Sequence, residues 1–113
     1  MTDNEKFARW QGWQPHPNGK WHRDEFNIWK AGRDLPDYPT DSAACMSLLD
    51  TLVEKGYKFV LESVNKGERY VIDIHQNCIL GKRVAGAIEP TINQAIIVVC
   101  LEVIERERAN GKD

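Results

Sequence analysis

The segment formed by residues 35–44 constrains the fold more than any other part of the sequence. It reads Leu-Pro-Asp-Tyr-Pro-Thr-Asp-Ser-Ala-Ala. Its two prolines keep the residues before them, Leu35 and Tyr38, out of the helical region of backbone space. Thr40 or Asp41 can then accept hydrogen bonds from the free amide groups of a first helical turn. The segment therefore predicts an extended stretch that leads directly into a capped helix.

Two apolar segments after this helix predict an antiparallel hairpin. Gly56 is expected to end the helix. Residues 57–64 and 68–75 then alternate between apolar and polar side chains, and Asn-Lys-Gly at 65–67 separates them. The alternation gives this sheet one strongly apolar face, against which helices can lie. The next segment, residues 78–87, contains two glycines and predicts either a third strand or a loop.

The final helix is predicted to begin after Pro90, with Thr91 as its cap. Its apolar residues form two lines, and the second line consists of Ile97, Leu101 and Ile104. So wide an apolar arc indicates a helix that is deeply buried or that offers its extra face to a partner. These three residues are therefore candidates for partner binding, and a homodimer could pair through them across a two-fold axis.

All four tryptophans lie before residue 30, interleaved with basic residues. Trp13, Trp21, Arg23 and Trp29 are the candidate partner-binding residues of this region, because tryptophan and arginine are prominent in interface hot spots. Aromatic and cationic residues on one ribbon also stack on bases and contact phosphates, so a nucleic-acid-binding module is the first alternative. A structural role, in which the tryptophans close a small core, is favoured because so short a module has little else to bury.

The local pattern around the tryptophans predicts a short helix over residues 3–10, followed by a hairpin. Asn-Gly at 18–19 favours a two-residue turn, which would place His16 opposite Trp21. A further short extended segment is predicted over residues 26–29. The resulting ribbon is expected to lie at the periphery of the fold.

Composition and charge favour one cytoplasmic domain. The 113 residues carry a formal net charge of -2 at pH 7, so no global basic field draws the chain to phosphate backbones. Acidic residues near the tryptophans cancel the local positive charge, which ranks a protein interface ahead of nucleic acid. Neither a secretory signal nor a membrane-spanning run is recognised. The three cysteines fit a reduced chain, with Cys45 and Cys100 as core thiols.

No residue pattern indicates catalysis, and neither a metal nor a cofactor is expected. Structural zinc sites usually contain ligand pairs about two to four residues apart, a pattern that His16, His22 and Cys78 do not form. His75 and Cys78 are close in sequence, but no cationic cluster nearby would activate the thiol. An enzyme or a small-ligand-binding protein is the second alternative, and its sign would be a buried pocket containing Asp73, His75 or Cys78.

Three motifs of the chain resemble those of the phage ABA sandwich domain family, which comprises small proteins of bacteriophages and prophages. They are Gly12-Trp13 followed by Gly19-Lys20-Trp21, then Leu35-Pro36-Asp37-Tyr38 leading to Thr40-Asp41, and last the helix Pro90-Thr91-Ile92-Asn93-Gln94-Ala95-Ile96. The similarity covers residues 10–104. One difference is that Pro90 precedes Thr91, where the family pattern places the threonine first, and this shifts the expected helix cap.

The resemblance implies a compact α+β fold, an α-β-α sandwich in which helices flank a small antiparallel sheet, with the tryptophan-rich hairpin before it. One domain is expected over residues 1–113, with a hairpin region at 10–34, a core at 35–105 and a tail at 106–113. The family carries no agreed catalytic residues. The expectation is therefore a non-enzymatic phage or prophage accessory protein in the host cytoplasm, which binds a host or phage macromolecule, most simply a protein, as an anti-defence or host-takeover factor.

Overall fold

The computed structural model of the chain describes residues 2–17, 19–22, 34–77 and 81–109. In chain order its elements are helix α1 (Asp3–Trp10), strands β1 (Gln14–Pro15) and β2 (Trp21–His22), helix α2 (Ser42–Glu54), strands β3 (Tyr57–Val64), β4 (Arg69–Gln76) and β5 (Arg83–Glu89), and helix α3 (Ile92–Ala109). A short 3₁₀ turn, Asn65–Gly67, joins β3 to β4. The predicted α+β class with an N-terminal hairpin is confirmed. The extended segment predicted over 26–29 lies outside the described residues.

Helix α1 begins with a capping box. The Thr2 hydroxyl accepts a hydrogen bond from the Glu5 amide at 3.2 Å, and the Glu5 carboxylate accepts one from the Thr2 amide at 3.4 Å. Phe7 is buried on the inner side of the helix, and its ring centre lies 5.3 Å from that of Tyr38. The helix predicted over residues 3–10 is therefore confirmed, and an aromatic pair attaches it to the segment before α2.

The N-terminal hairpin forms, but its predicted register is wrong by one residue. Pro15 lies opposite Trp21, and the His16 amide donates to the Lys20 carbonyl at 2.9 Å. The Gly19 amide donates to the His16 carbonyl, also at 2.9 Å, and Gly19 has a φ of +81°. Pro17 is therefore the second residue of the reverse turn, a position that its fixed φ favours, and Gly19 adds one left-handed residue to the loop.

Helix α2 starts where the proline-containing segment predicts. The Asp41 carboxylate accepts a hydrogen bond from the Ala44 amide at 3.1 Å and caps the helix. Before it, the Thr40 hydroxyl donates to the Asp37 carboxylate at 2.6 Å. This bond, together with one from Asn4, lowers the pKa of Asp37 below its ordinary value. At the other end of the helix Gly56 has a φ of +93°, which explains why the chain can turn there into β3.

The three-stranded sheet has the order β3-β4-β5, and both pairs are antiparallel. The segment predicted as either a strand or a loop forms a strand from Arg83 onward. Phe59, Ile74 and Ala85 are cross-strand neighbours and contribute to the core that α2 and α3 cover. On the opposite face Val60 and Ile88 are 46% and 59% exposed. Both larger helices therefore lie over the same side of the sheet.

Helix α3 completes the core, and α1 lies across its C-terminal part. The Thr91 hydroxyl accepts a hydrogen bond from the Gln94 amide at 3.1 Å, so the predicted cap is confirmed. Lys6 of α1 forms an ion pair with Glu105 at 3.5 Å. Gln11, which follows α1, donates to the Thr51 hydroxyl of α2 at 3.1 Å. The first helix therefore bridges the two larger ones on the side away from the sheet.

Candidate functional site

The surface between α1 and the hairpin is built on an arginine stacked on a tryptophan. Arg9 lies in the last turn of α1, and its guanidinium carbon is 5.5 Å from the centre of the Trp21 ring. Trp21 is only 8% exposed, whereas Arg9 is exposed. Such a geometry is a cation–π contact. The buried indole therefore holds an accessible positive charge in a defined place.

A shallow cavity of about 290 Å³ adjoins this stack. The residues that line it are Arg9, Gly12, Trp13, Gln14 and Pro15, and we call it the hairpin cleft. The chain reverses here because Gly12 adopts a φ of +94° and the Trp13 amide donates to the Ala8 carbonyl at 2.9 Å. The cleft thus offers a cation, an indole, a side-chain amide and a proline ring to a ligand.

The two histidines of the hairpin lie beside each other. The ring centres of His16 and His22 are 4.0 Å apart and the rings are inclined by 46°. His22 is 8% exposed, and its Nε2 atom has no hydrogen-bond partner among the described residues. Nowhere in the described ranges do three or more His, Cys, Asp or Glu side chains group as metal ligands. Two imidazoles alone do not amount to a metal centre.

A second polar site lies near the C-terminal end of α3, around Glu107. Its carboxylate accepts a hydrogen bond from the Trp10 indole at 2.9 Å and another from the Tyr57 hydroxyl at 2.7 Å. The pKa of Tyr57 is raised to about 12, mainly by burial. The hydrogen bond to Glu107 and the charge of that carboxylate also contribute to this rise. Because both carboxylate oxygens are engaged in joining α1, β3 and α3, we interpret this site as structural.

The tryptophan-region candidates have different surroundings. Trp21 is buried, which agrees with the structural role favoured for it, and Trp13 is half-buried at the hairpin cleft. Arg23 and Trp29 lie outside the described residues. Trp13 is therefore the candidate that is partly exposed at the hairpin cleft. Trp21 instead supports the Arg9 guanidinium from below.

The candidates on α3 are less accessible than a contact surface requires. Ile97 and Leu101 are half-buried and pack against the core, and Ile104 is 6% exposed within it. Most of the surface of this apolar line is therefore used in packing the core. Ile104 in particular is not accessible to a partner in this fold.

Sequence reasoning did not select Arg9 or Gln14, both of which line the hairpin cleft. Arg9 precedes Gly12 by three positions, and an arginine in the last turn of a helix that ends at a glycine is a common arrangement for helix capping. Only the stacking of its guanidinium on Trp21, twelve residues later in the chain, distinguishes Arg9 from such a helix-capping arginine. That contact depends on the hairpin register, which the sequence did not predict correctly.

Two of the three residues considered for catalysis, Asp73 and His75, lie within the described residues. Asp73 forms a 2.9 Å ion pair with Arg83, and it lies on the face of the sheet that carries Val60. His75 has its Nδ1 atom 3.2 Å from the Gly81 carbonyl oxygen. Cys78 lies outside the described residues. Neither Asp73 nor His75 lines the hairpin cleft or either of two further surface cavities formed by described residues.

The two described cysteines are core thiols, as predicted. Cys45 and Cys100 are both free and buried. Burial raises the pKa of Cys45 to about 11, and it also raises the pKa of Cys100, with a smaller contribution from Cys45. Because the thiolate is the reactive form, both groups are chemically quiet in the folded protein.

Comparison with protein-family models, with curated proteins and with solved structures found no match to this chain. The resemblance to the phage ABA sandwich domain family therefore stays a prediction. Among the helices of the described residues, none is long and apolar enough to cross a membrane.

Proposed function

We propose that this protein acts as a small binding module, without a catalytic centre, that contacts a protein partner through the hairpin cleft. The observation that carries the proposal is the exposed Arg9 guanidinium stacked on the buried Trp21, directly beside Trp13. Arginine and tryptophan contribute most to binding when a rigid surface holds them in place. The expected ligand is a protein segment that brings a carboxylate to Arg9 and an apolar side chain to Trp13 and Pro15.

Charge favours a protein over a nucleic acid as this partner. Arg9 makes no ion pair with any described acidic residue, so none of these residues neutralises its charge. Lys20, the other described cation of the hairpin, is already paired with Asp34 at 2.7 Å. One cation among the described residues of the hairpin cleft, on a chain of net charge -2, suits one carboxylate better than a run of phosphates.

Affinity capture from infected bacterial cells tests this proposal. The baits are the wild-type protein, Arg9→Glu, Trp13→Ala and the matched charge control Arg69→Glu, which alters an exposed arginine at the far end of the sheet. A protein retained by wild type and by Arg69→Glu, but lost with Arg9→Glu and Trp13→Ala, supports the proposal. Circular dichroism of each bait confirms that folding is unchanged. Equal retention by all four baits would contradict it.

The nucleic-acid alternative has a separate test. Because Trp21 is buried, its replacement would report on folding, so Arg9 and Trp13 are the residues to change. A gel shift with single- and double-stranded DNA and RNA at low salt decides the matter. A salt-sensitive shift that Arg9→Glu weakens favours this alternative. If none of these nucleic acids is shifted, nucleic-acid binding is excluded.

A role in host takeover or in evading host defence is the finer part of the proposal. It is supported only by the resemblance to the phage family. Expressing the chain in a bacterium that carries a defence system, and counting plaques of a phage that the system restricts, tests it directly. Restored plaque formation with wild type, reduced again with Arg9→Glu, would link that role to the hairpin cleft.

A further inference from the structure

No described strand pairs with the row of backbone groups along the outer edge of strand β3. This strand is at one end of the sheet, and among the described residues it pairs only with β4. It runs for 8 residues without a glycine, a proline or a break in register. By contrast, β5 at the other edge contains Gly86, and its pairing with β4 has a register shift. Proteins usually protect so regular an edge or pair it with another chain.

Apolar side chains near this edge remain partly exposed. Phe59 and Leu61 face the core yet are only half-buried, whereas their cross-strand partners Ile74 and Ile72 are 0% exposed. Val60, on the other face of the strand, is 46% exposed. A strand added beside β3 would cover apolar surface on both faces of the sheet.

Helix α2 adds two apolar residues beside the same edge. Its Ser47 and Thr51 accept hydrogen bonds from Gln11 and so mark the side that faces α1. Met46 and Val53 lie together on the other flank by helical spacing, and they are 46% and 53% exposed. Since α2 packs over β3 while α3 packs over β4 and β5, this flank is next to the open edge.

One hydrogen bond determines which residues of β3 direct their backbone groups outward. The Asn77 amide donates to the Gly56 carbonyl at 2.9 Å, so every second residue counted from Gly56 bonds toward β4. Tyr57, Phe59 and Leu61 therefore direct their amide and carbonyl groups toward the open edge. An antiparallel partner strand must place such residues opposite one another.

We infer that two copies of this chain pair antiparallel through β3, about a two-fold axis that passes beside Val60. In this register Phe59 lies opposite Leu61 of the partner subunit, which satisfies the backbone requirement. Lys58 lies opposite Glu62 of the partner subunit on both sides of the axis, where the charges attract. The other permitted registers leave these charges unpaired or place like charges opposite each other.

The same two-fold axis brings the apolar flanks of α2 together. An axis perpendicular to the sheet keeps the helices of both copies on one face, so Met46 and Val53 face their counterparts. The result is a continuous six-stranded sheet covered by helices on one side. This interface does not depend on the proposed function, because the hairpin cleft uses none of its residues.

Sedimentation equilibrium over a series of protein concentrations tests the inference. Wild type is expected to form a dimer, and Lys58→Glu or Glu62→Lys should weaken it about tenfold, because each places like charges opposite across the axis. The double variant Lys58→Glu with Glu62→Lys exchanges the charges and should restore the dimer. Arg69→Glu is the charge control, and Arg9→Glu should leave self-association unchanged, which separates this interface from the hairpin cleft.

A second variant examines the backbone pairing without changing charge. Ser63 is exposed, and its amide points outward by the same alternation. Ser63→Pro removes one intermolecular donor without removing a bond to β4, and it should weaken the dimer while leaving the monomer folded. A wild-type protein that stays monomeric at the highest concentration overturns the inference. So does a dimer that persists in both single charge variants, or one that the charge exchange does not restore.

Discussion

The Tyr38 hydroxyl donates a 2.6 Å hydrogen bond to the side-chain carbonyl of Gln11, and this contact fixes α1 against the segment that precedes α2. Gln11 uses its amide group at the same time to donate to Ser47 and Thr51. One glutamine therefore joins three parts of the chain. Since residues on both sides of Gln11, Arg9 and Gly12, line the hairpin cleft, the position of the cleft depends on this junction.

Replacing Tyr38 with phenylalanine should destabilise the protein. Tyr38 is only 1% exposed. The variant removes its hydroxyl and leaves the Gln11 side-chain carbonyl without this partner, which should lower the free energy of unfolding by about 1–2 kcal/mol. Urea unfolding measures the change. Tyr70→Phe is the matched control, because the Tyr70 hydroxyl forms no hydrogen bond within the described residues. Equal losses in the two variants would show that the Tyr38–Gln11 bond contributes nothing.

The Asp41 cap should account for a measurable part of the stability of α2. Asp41→Ala removes the acceptor of the Ala44 amide and is expected to lower the free energy of unfolding by about 1 kcal/mol. Asp50→Ala, in the exposed middle of the same helix, removes the same charge without removing a cap. Its effect should be near zero or slightly stabilising. A larger loss in Asp50→Ala than in Asp41→Ala would contradict the assignment of the cap.

Stability should fall at alkaline pH because of Tyr57. Its folded-state pKa is about 12, above the ordinary value of 10.0, so the folded protein holds the phenol proton more tightly than the unfolded chain does. The contribution is fully present below pH 10 and is lost as the pH rises from 10 toward 12. Tyr57→Phe should therefore lose less stability over this range than wild type. Identical pH profiles of the two proteins would rule out the effect.

Glu107 should account for only part of the raised pKa of Tyr57. Burial is the largest cause and remains in Glu107→Gln, whereas the charge and the ionised acceptor are removed. The ultraviolet absorbance of tyrosinate, taken as the difference between Glu107→Gln and the same variant with Tyr57→Phe, measures the remaining pKa. We expect a value between 10 and 12. A value unchanged from wild type would mean that Glu107 has no influence.

The buried thiols should resist alkylation until the protein unfolds. In a Cys78→Ser background, Cys45 and Cys100 are the only thiols of the chain, and burial raises the pKa of each. Iodoacetamide should modify neither residue in the folded protein and both in urea, as counted by mass spectrometry. Rapid modification of the folded protein would place at least one thiol at the surface.

The parts of the fold that depend on local chemistry were predictable from the sequence. The cap at Asp41, the stop at Gly56 and the alternation along β3 and β4 all depend on residues near one another in the chain. The hairpin register was not predicted correctly, because Pro17 and the Asn-Gly pair at 18–19 favour turns at different positions. In this chain Pro17 is the second residue of the turn, a position that its fixed φ favours, and the loop gains one residue at Gly19.

The candidate site was only partly predictable, because burial depends on contacts far apart in sequence. Trp13 and Trp21 have the same residue type, yet one lines the cleft and the other is buried beneath Arg9. Likewise, nothing along α3 indicates that Ile104 will be buried in the core. Assigning a tryptophan or an isoleucine to core or surface requires the tertiary arrangement, which periodicity within one element does not contain.

Site-specific photocrosslinking tests the central claim most directly. A photoreactive amino acid replaces Gln14, which is exposed and lines the hairpin cleft, or Arg69, which is exposed and lies elsewhere. After irradiation in infected cells, the probe at Gln14 should form one defined protein adduct, absent when Arg9→Glu is added. The probe at Arg69 should not form it. An adduct that forms from Arg69 but not from Gln14, or that persists with Arg9→Glu, would contradict partner binding through the hairpin cleft.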